Sequence, residues 1–329
     1  MSQSELSPAR VSVVIPCFNA EATLAGAVES VLAQTLTDLE CILVDDCSTD
    51  GTRALIARLA AADPRVRALP MEQNSGPSAA RNAGIDAACG DWIAVLDADD
   101  AYERERLSLL VQTAEAERAD FVADNQRLVN PEGRHLGLAF PDLDGGEAVV
   151  SLGLRRFLED SVPVRGRLSP GYLKPLMRRD FLLAHGLRYD EGYTVGEDFL
   201  LYTQALMQGA RFVVLPDALY RYTQSPRSLT RSGGWTLRVL ASMCSEILRE
   251  HSAVLPLSAR EALETRRRIM LRRARALDLA GRLRARDPRG TAAILLREPS
   301  SLAALGREVV DVVGARRAAA AAALGGAGS

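Results

Sequence analysis

The run "AVLDADD" (94–100) sets three carboxylates, Asp97, Asp99 and Asp100, against the end of an apolar stretch. Acids this close repel one another unless a cation neutralises them. A calcium loop starting at Asp97 fails, because its sixth and twelfth positions hold Tyr102 and Ser108 where Gly and Glu are needed. Two readings stand. Asp99 and Asp100 cap a helix that begins near Glu103, or Asp97 and Asp99 bridge magnesium or manganese to a substrate phosphate.

Three other segments carry groups of the same kind. In "VDDCSTDG" (44–51) Asp45 or Asp46 offers an acceptor for a base or ribose, while Asp46 serves equally well as a cap and "STDGT" as a turn and N-cap. In "QNSGPSAARNAG" (73–84) Gly76 and Pro77 open a helix with Arg81 one turn inside it. That arginine reads as a phosphate ligand, a partner for Asp97, or a solvated helix residue. In "TVGEDFLLYTQAL" (194–206) Glu197 and Asp198 stand directly before an amphipathic helix. Capping accounts for one acid, and the second points to a base or a further polar contact.

The elements that must position these groups are legible in the hydrophobic pattern. Strands at 11–15, 41–46, 66–69 and 92–97 alternate with helices over Glu21–Gln34, Thr52–Ala62, Ser78–Ala88 and Glu103–Glu117. Near-continuous apolar strands joined through helices predict a doubly wound parallel α/β sheet. Its ligands bind beyond the carboxyl ends of the strands, where "PCFNAE", "DDCSTDG" and "DADD" all fall. The first turn lacks G-x-G-x-x-G, which excludes a dinucleotide cradle and with it a nicotinamide enzyme.

Between about 120 and 230 the pattern is mixed, with strands at "FVADNQRLV" and "RFVVLP" and a helix over Phe199–Gln208. Wide Gly- and Pro-rich loops around Pro131–Pro141 and Arg165–Pro175 are placed to hold an acceptor. Beyond Trp235 the chain reads as helix, ending in the low-complexity "RRAAAAAALGGAGS". The expected division is a tail over 1–10, a main domain over 11–232 that splits into two halves at 118/119, a helical region over 233–316, and a tail over 317–329.

At 329 residues and 47% hydrophobic, the chain can bury a large core. Its formal charge of -2 gives no bulk attraction to nucleic acid. Five cysteines without a C-x-x-C pair read as packing residues in a reducing compartment. No uninterrupted apolar run of about 18 residues and no apolar leader is present, so a cytoplasmic protein is expected. One helix carries Arg268, Arg272, Arg275, Arg282 and Arg286 on one side and Leu263, Met270, Ala274 and Leu277 on the other, with Leu279 intruding on the basic face. Its ordinary reading is a solvated face with its apolar stripe packed. Its functional reading is peripheral docking to an anionic membrane at the inner face of the cell.

Taken in order, "VSVVIPCFNAEATLAGAVESVLAQT", "ILVDDCSTDGT", "NSGPSAARNAG", "WIAVLDADD" and "GEDFLLY" resemble the inverting glycosyltransferases of family 2 over roughly residues 10 to 230. The "DNQRLV" segment is similar to bacterial exopolysaccharide glucosyltransferases of the succinoglycan type. The resemblance implies a GT-A fold, that is, a Rossmann-like, doubly wound, mostly parallel sheet, here followed by a C-terminal helical extension. It implies a UDP-sugar donor, with glucose as the sugar, a saccharide or lipid-linked oligosaccharide acceptor, and Mn2+ or Mg2+. Pro16, Phe18, Asn19 and Glu21 would line the nucleotide pocket, with Phe18 against the uracil and Asp46 accepting its imide N–H. Asn74, Arg81 and Asp97 would complete the donor site, Asp99 would lead the metal ligands with Asp97 and Asp100 beside it, Asp198 would be the base, and Glu197 its companion.

One departure concerns the metal. Some family members add a late histidine, but the matching stretch "YRYTQSPRSLT" has none, and the chain holds only His135, His185 and His251. Fewer protein ligands are then expected, with His185 an ordinary residue. Two alternatives to transfer are a catalytically silent nucleotide-sugar-binding scaffold and a sugar-1-phosphate nucleotidyltransferase. The second needs a glycine-rich basic loop after the first strand, which "PCFNAE" does not supply.

Overall fold

Strands β1 (Val11–Cys17), β2 (Leu39–Asp45), β3 (Val66–Pro70) and β4 (Trp92–Val95) lie in the order β3-β2-β1-β4, every pair parallel. All seven residues of β2 are buried, as in a sheet covered on both faces. The crossovers are α1 (Leu24–Leu32), α2 (Thr52–Ala62) and α3 (Gly76–Ala87). The computed structural model describes residues 9–140, 149–162, 168–224, 234–297 and 299–307.

The sheet continues in mixed directions. Strand β4 pairs antiparallel with β9 (Leu176–Arg178), which pairs antiparallel with β6 (Phe121–Val129), and β6 runs parallel to β10 (Phe212–Thr223). The short strands β5 (Ala101–Tyr102) and β8 (Val150–Ser151) sit on β10, and β7 (His135–Leu138) sits on β6. Helices α4 (Arg106–Glu117), α6 (Arg179–Ala184) and α7 (Glu197–Met207) complete this part, while α5 covers Leu154–Asp160.

Several boundaries differ from the sequence pattern, each for a local reason. Residues 101–102 pair with β10, so α4 starts only at Arg106 with Glu105 at its N-cap. Asp99 and Asp100 therefore cap no helix. The predicted strand "RFVVLP" runs on to Thr223, held by β6 along its length. Helix α1 begins three residues later than expected because the chain first turns through 18–23.

The chain forms two compact units. The first comprises 1–154 and 170–225, and the second 155–169 and 226–329. Segment 155–169 thus belongs with the C-terminal helices rather than with the sheet around it in sequence. In the second unit α8 (Gly234–His251) packs on α9 (Leu257–Arg284), which is followed by α10 (Pro288–Arg297). Leu263, Met270, Ala274 and also Leu279 are buried on α9, whereas Leu277 is exposed. The wheel reading therefore had these two leucines reversed. Arg266 is buried too, and its guanidinium donates to the Ser161 carbonyl. Among the described residues no helix is long and apolar enough to cross a membrane. The low-complexity tail lies outside the described residues.

Candidate active site

Four turns meet at the carboxyl edge of the parallel strands. The loop after β1 and the loop after β2 are fastened to each other. Asn19, in the left-handed region at φ 50°, donates its N–H to Ser48 Oγ at 3.0 Å and accepts the Thr49 N–H on Oδ1 at 2.8 Å. Ala20 N–H donates to Thr52 Oγ1 at 2.8 Å, and Gly51 N–H to Glu21 Oε2 at 3.0 Å. Pro16 pairs in register with Val44, and beside them Phe18 stands 51% exposed on the rim. An aromatic face left in water at a rim is a surface for stacking.

Asp46 does cap a helix, though not the one that follows it. Its carboxylate accepts the N–H groups of Ser75 at 2.7 Å and Gly76 at 2.9 Å, the opening of α3, and Asn74 Nδ2 donates to its carbonyl at 3.0 Å. Gly76 adopts φ 87°, which lets both amides converge on one side chain. The neighbouring Asp45 accepts from Ser48 N–H and Arg53 Nε, so Asp46 is the acid aimed at the third turn.

Arg81 is not solvated. It is 5% exposed and forks between two acids from distant parts of the chain, with Nη2 donating to Asp97 Oδ1 at 2.8 Å and Nη1 to Glu197 Oε1 at 2.6 Å. Glu197 and Asp198 lie within the first turn of α7 rather than ahead of it, after Gly196 at φ 80°. Placing acids there suits the helix dipole. The surprise is Lys174, which stands after the 3-10 turn Pro170–Tyr172. Its Nζ donates to Asp198 Oδ2 at 2.9 Å and lies 3.0 Å from Asp97 Oδ2.

Electrostatics follow from this packing. Burial alone would raise the pKa of Asp97, but Lys174 and Arg81 outweigh it and hold the carboxyl well below the usual range. Burial works against the Lys174 ammonium, yet Asp198 and Asp97 push its pKa above that of an ordinary lysine. Asp99 is the acid of the run that reaches solvent, and partial loss of hydration together with the charge on Asp97 raises its pKa. Asp100 is turned away, accepting from Tyr220 and from the Thr223 N–H.

A metal fits this donor set only in part. Both oxygens of Asp97 are occupied by Arg81 and Lys174, and both of Asp100 by Tyr220 and Thr223. Asp99 makes no hydrogen bond or ion pair to another side chain among the described residues, and no group of three metal-ligating side chains occurs among them. Asp97, Glu197 and Asp198 carry three negative charges against the two positive charges of Arg81 and Lys174, and Asp99 adds a fourth. A divalent cation sharing Asp99 with substrate oxygens would balance that excess. His185 is elsewhere, stacked on Phe181 with ring centroids 4.3 Å apart.

Residues 12–160 match the pattern described as Glycosyl transferase family 2. That stretch of the chain belongs to glycosyltransferase family 2. The chain is 41% identical over 221 residues to the succinoglycan biosynthesis protein ExoO of Rhizobium meliloti, covering 67% of this chain and 62% of that protein. It is 36% identical over 229 residues to ExoU of the same organism, covering 69% and 65%. It thus spans somewhat under two thirds of either relative. Among solved structures, Staphylococcus aureus TarS 1–349 in complex with UDP aligns with a TM-score of 0.57 at 22% identity, over 88% of this chain and 92% of that one. Mannosyltransferase PcManGT from Pyrobaculum calidifontis, in complex with GDP-Man and Mn2+, aligns with a TM-score of 0.60 at 19% identity, over 94% and 89%. The chain thus has the α/β layout of GT-A glycosyltransferases, as the sequence resemblance implied.

Of the residues that resemblance named, the fold gathers Arg81, Asp97, Glu197 and Asp198 into one cluster and sets Asp99 at its rim. Pro16, Phe18, Asn19, Glu21, Asp46 and Asn74 line the fastened loops beside it. Sequence reasoning missed Lys174. A signal was available: 40 residues are Lys or Arg, and Lys174 is the single lysine among them.

Proposed function

We propose that the chain is an inverting glycosyltransferase that moves glucose from UDP-glucose to a saccharide or lipid-linked saccharide in exopolysaccharide assembly. The observation that carries this reading is the meeting of Asp198 with Asp97, through Lys174, directly beside the exposed Asp99. A carboxylate able to take a proton is thereby set next to a carboxylate able to share a cation with a diphosphate.

Phe18 offers the base a stacking face, and Asp46, held by two backbone amides, offers an acceptor to its imide N–H. Asp99 would hold a divalent cation, which when bound stabilises the charge that grows on the departing diphosphate. Arg81 keeps Asp97 and Glu197 together at the floor of the site. Asp198 takes the proton of the acceptor hydroxyl as its oxygen attacks the anomeric carbon opposite the leaving group, so that configuration inverts and no covalent enzyme intermediate forms. The 41% identity to a succinoglycan biosynthesis protein supports an exopolysaccharide acceptor.

The test is a panel of nucleotide sugars with Mn2+ and an acceptor extract. UDP release from UDP-glucose is expected, with loss of about 10²–10⁴-fold in Asp198→Asn and UDP binding retained. Equal turnover in Asp198→Asn refutes the base, and release from a GDP-sugar alone refutes the donor.

A membrane-linked acceptor would be met by the second unit. Arg268, Arg282 and Arg286 are exposed on and just after α9, and Leu283, Leu296 and Leu302 stand exposed in the same unit. Basic and apolar groups exposed together suit an anionic lipid surface. Flotation with anionic vesicles is expected and should be lost on reversing these three charges. Unchanged flotation refutes docking.

A further inference from the structure

Lysine is absent from every other position of a chain rich in arginine, yet one lysine is placed in the most crowded part of the site. Lys174 is 5% exposed and bridges Asp97 Oδ2 at 3.0 Å and Asp198 Oδ2 at 2.9 Å. An ammonium is a compact charge whose three hydrogens can point at separate acceptors. A guanidinium is a wide planar fork whose donors are fixed in one plane, so it cannot turn separate hydrogens onto acceptors lying out of that plane. The space between two carboxylates already flanked by Arg81 calls for the first and not the second.

The lysine is itself held from behind. Its carbonyl accepts Arg106 Nη2 at 2.5 Å. Arg106 has no exposed surface. It pairs with Asp124 at 2.7 Å and lies over the Tyr102 and Tyr220 rings, 4.3 Å and 5.1 Å from their centroids. The preceding carbonyl, of Leu173, accepts the Tyr202 hydroxyl at 2.9 Å. Two consecutive carbonyls fixed by buried side chains make the Lys174 backbone a rigid mount.

Resting on the glycosyltransfer reading above, we propose that Lys174 is a positioning residue that ties the base to the donor rim. By occupying Asp198 Oδ2 it leaves Oδ1, 3.4 Å from the Tyr202 hydroxyl, as the oxygen that receives the acceptor proton. By holding Asp97 on the same nitrogen it fixes the separation between that oxygen and the strand end bearing Asp99. It touches neither substrate nor proton in transit. Its contribution is aim, and a misplacement of about 1 Å at a reacting centre can cost roughly 10²-fold in rate.

Being the single lysine makes Lys174 directly observable. Full-length protein grown on lysine carrying 15N at the side-chain nitrogen gives one ammonium resonance. A slowly exchanging signal at neutral pH is expected, shifted in both Asp198→Asn and Asp97→Asn. A signal with the exchange of free lysine, or one unmoved by Asp198→Asn, overturns the bridge. In parallel, Lys174→Met and Lys174→Arg are assayed for transfer. The expected result is a kcat lower by about 10²-fold in Lys174→Met, with donor KM changed by no more than about threefold. Lys174→Arg keeps the charge and the fold yet fails to restore the rate. Full turnover in either variant, against a wild type that transfers sugar, overturns the positioning role alone. A wild type that transfers no sugar from any donor overturns the glycosyltransfer reading, and this role with it.

Discussion

The hydroxyl of Tyr220 donates to Asp100 Oδ2 at 2.6 Å, and that bond separates the third acid of the 97–100 run from the first two. With the Thr223 N–H on its other oxygen at 2.7 Å, Asp100 ties the acidic turn to β10. Burial and the charges of Asp97 and Asp99 push its pKa well above the usual carboxylate range. Its neighbour Asp99 has no such ties among the described residues.

These two acids should therefore respond differently to amidation. Asp99→Asn is expected to abolish the enhancement of UDP affinity by manganese in calorimetry while leaving the unfolding midpoint near that of the wild type. Asp100→Asn should keep the enhancement and lose stability by about 1–3 kcal/mol, the cost of disturbing buried hydrogen bonds. Identical UDP affinity in chelator and in manganese for the wild type would remove the metal from the account.

Asp97 supplies a pH dependence whose sign can be worked out. Its folded pKa is depressed by Lys174 and Arg81 acting against burial, whereas an unfolded aspartate titrates near ~3.9. On acidification the unfolded chain takes up the proton first. The stabilisation is thus fully present above about pH 5, begins to fall near the unfolded value of about 4 and is lost as pH drops on through the depressed folded pKa. Asp97→Asn should lower stability at pH 7 and flatten the acid limb of urea-unfolding free energies between about pH 5 and 2. A limb as steep as that of the wild type would contradict this.

Arg106 and Asp124 are both fully buried, so removing one charge strands the other. Asp124→Ala should cost about 3–5 kcal/mol of unfolding free energy. Replacing the pair together, Arg106→Met with Asp124→Leu, should regain most of that loss in the same denaturant titration. A double variant no better than the single one would show that the pair is not an isolated electrostatic unit.

Gly84, the last residue of the "ARNAG" motif, lies where a Cβ would sit 2.2 Å from Val14 Cγ1 on β1. The helix can approach the strand only without that atom. Gly84→Ala is expected to destabilise by about 1–3 kcal/mol, the usual cost of overpacking. Val14→Ala in the same chain should recover part of it. Neutral behaviour of Gly84→Ala in thermal unfolding would mean that α3 shifts freely.

The parallel half was legible because each strand is a short apolar run closed by a polar turn, and because burial on both faces leaves little room for alternatives. Arg81 and Asp198 could be named from their segments, but their partners could not. Arg81 meets Glu197 across 116 positions, and no periodicity encodes a contact of that range. Lys174 was passed over since it sits in a Pro- and Gly-rich stretch without regular pattern, where only its rarity gave it away. Leu277 and Leu279 were exchanged on the wheel because the packed face of α9 was judged from idealised angles rather than from its neighbour α8. Cys89, read as a packing residue, is exposed at the end of α3 and donates to Glu40.

The hydrogen bonds that lace Asn19 to Thr49 and Glu21 to Gly51 are made entirely between groups of the protein itself. A recess braced by its own backbone and side chains spends little ordering on its guest. On the glycosyltransfer reading it also greets the spent nucleotide as warmly as the fresh donor. Escape of that product, rather than cleavage of the sugar bond, then becomes the natural pacemaker of each cycle, and accumulated nucleoside diphosphate a brake on the whole assembly line.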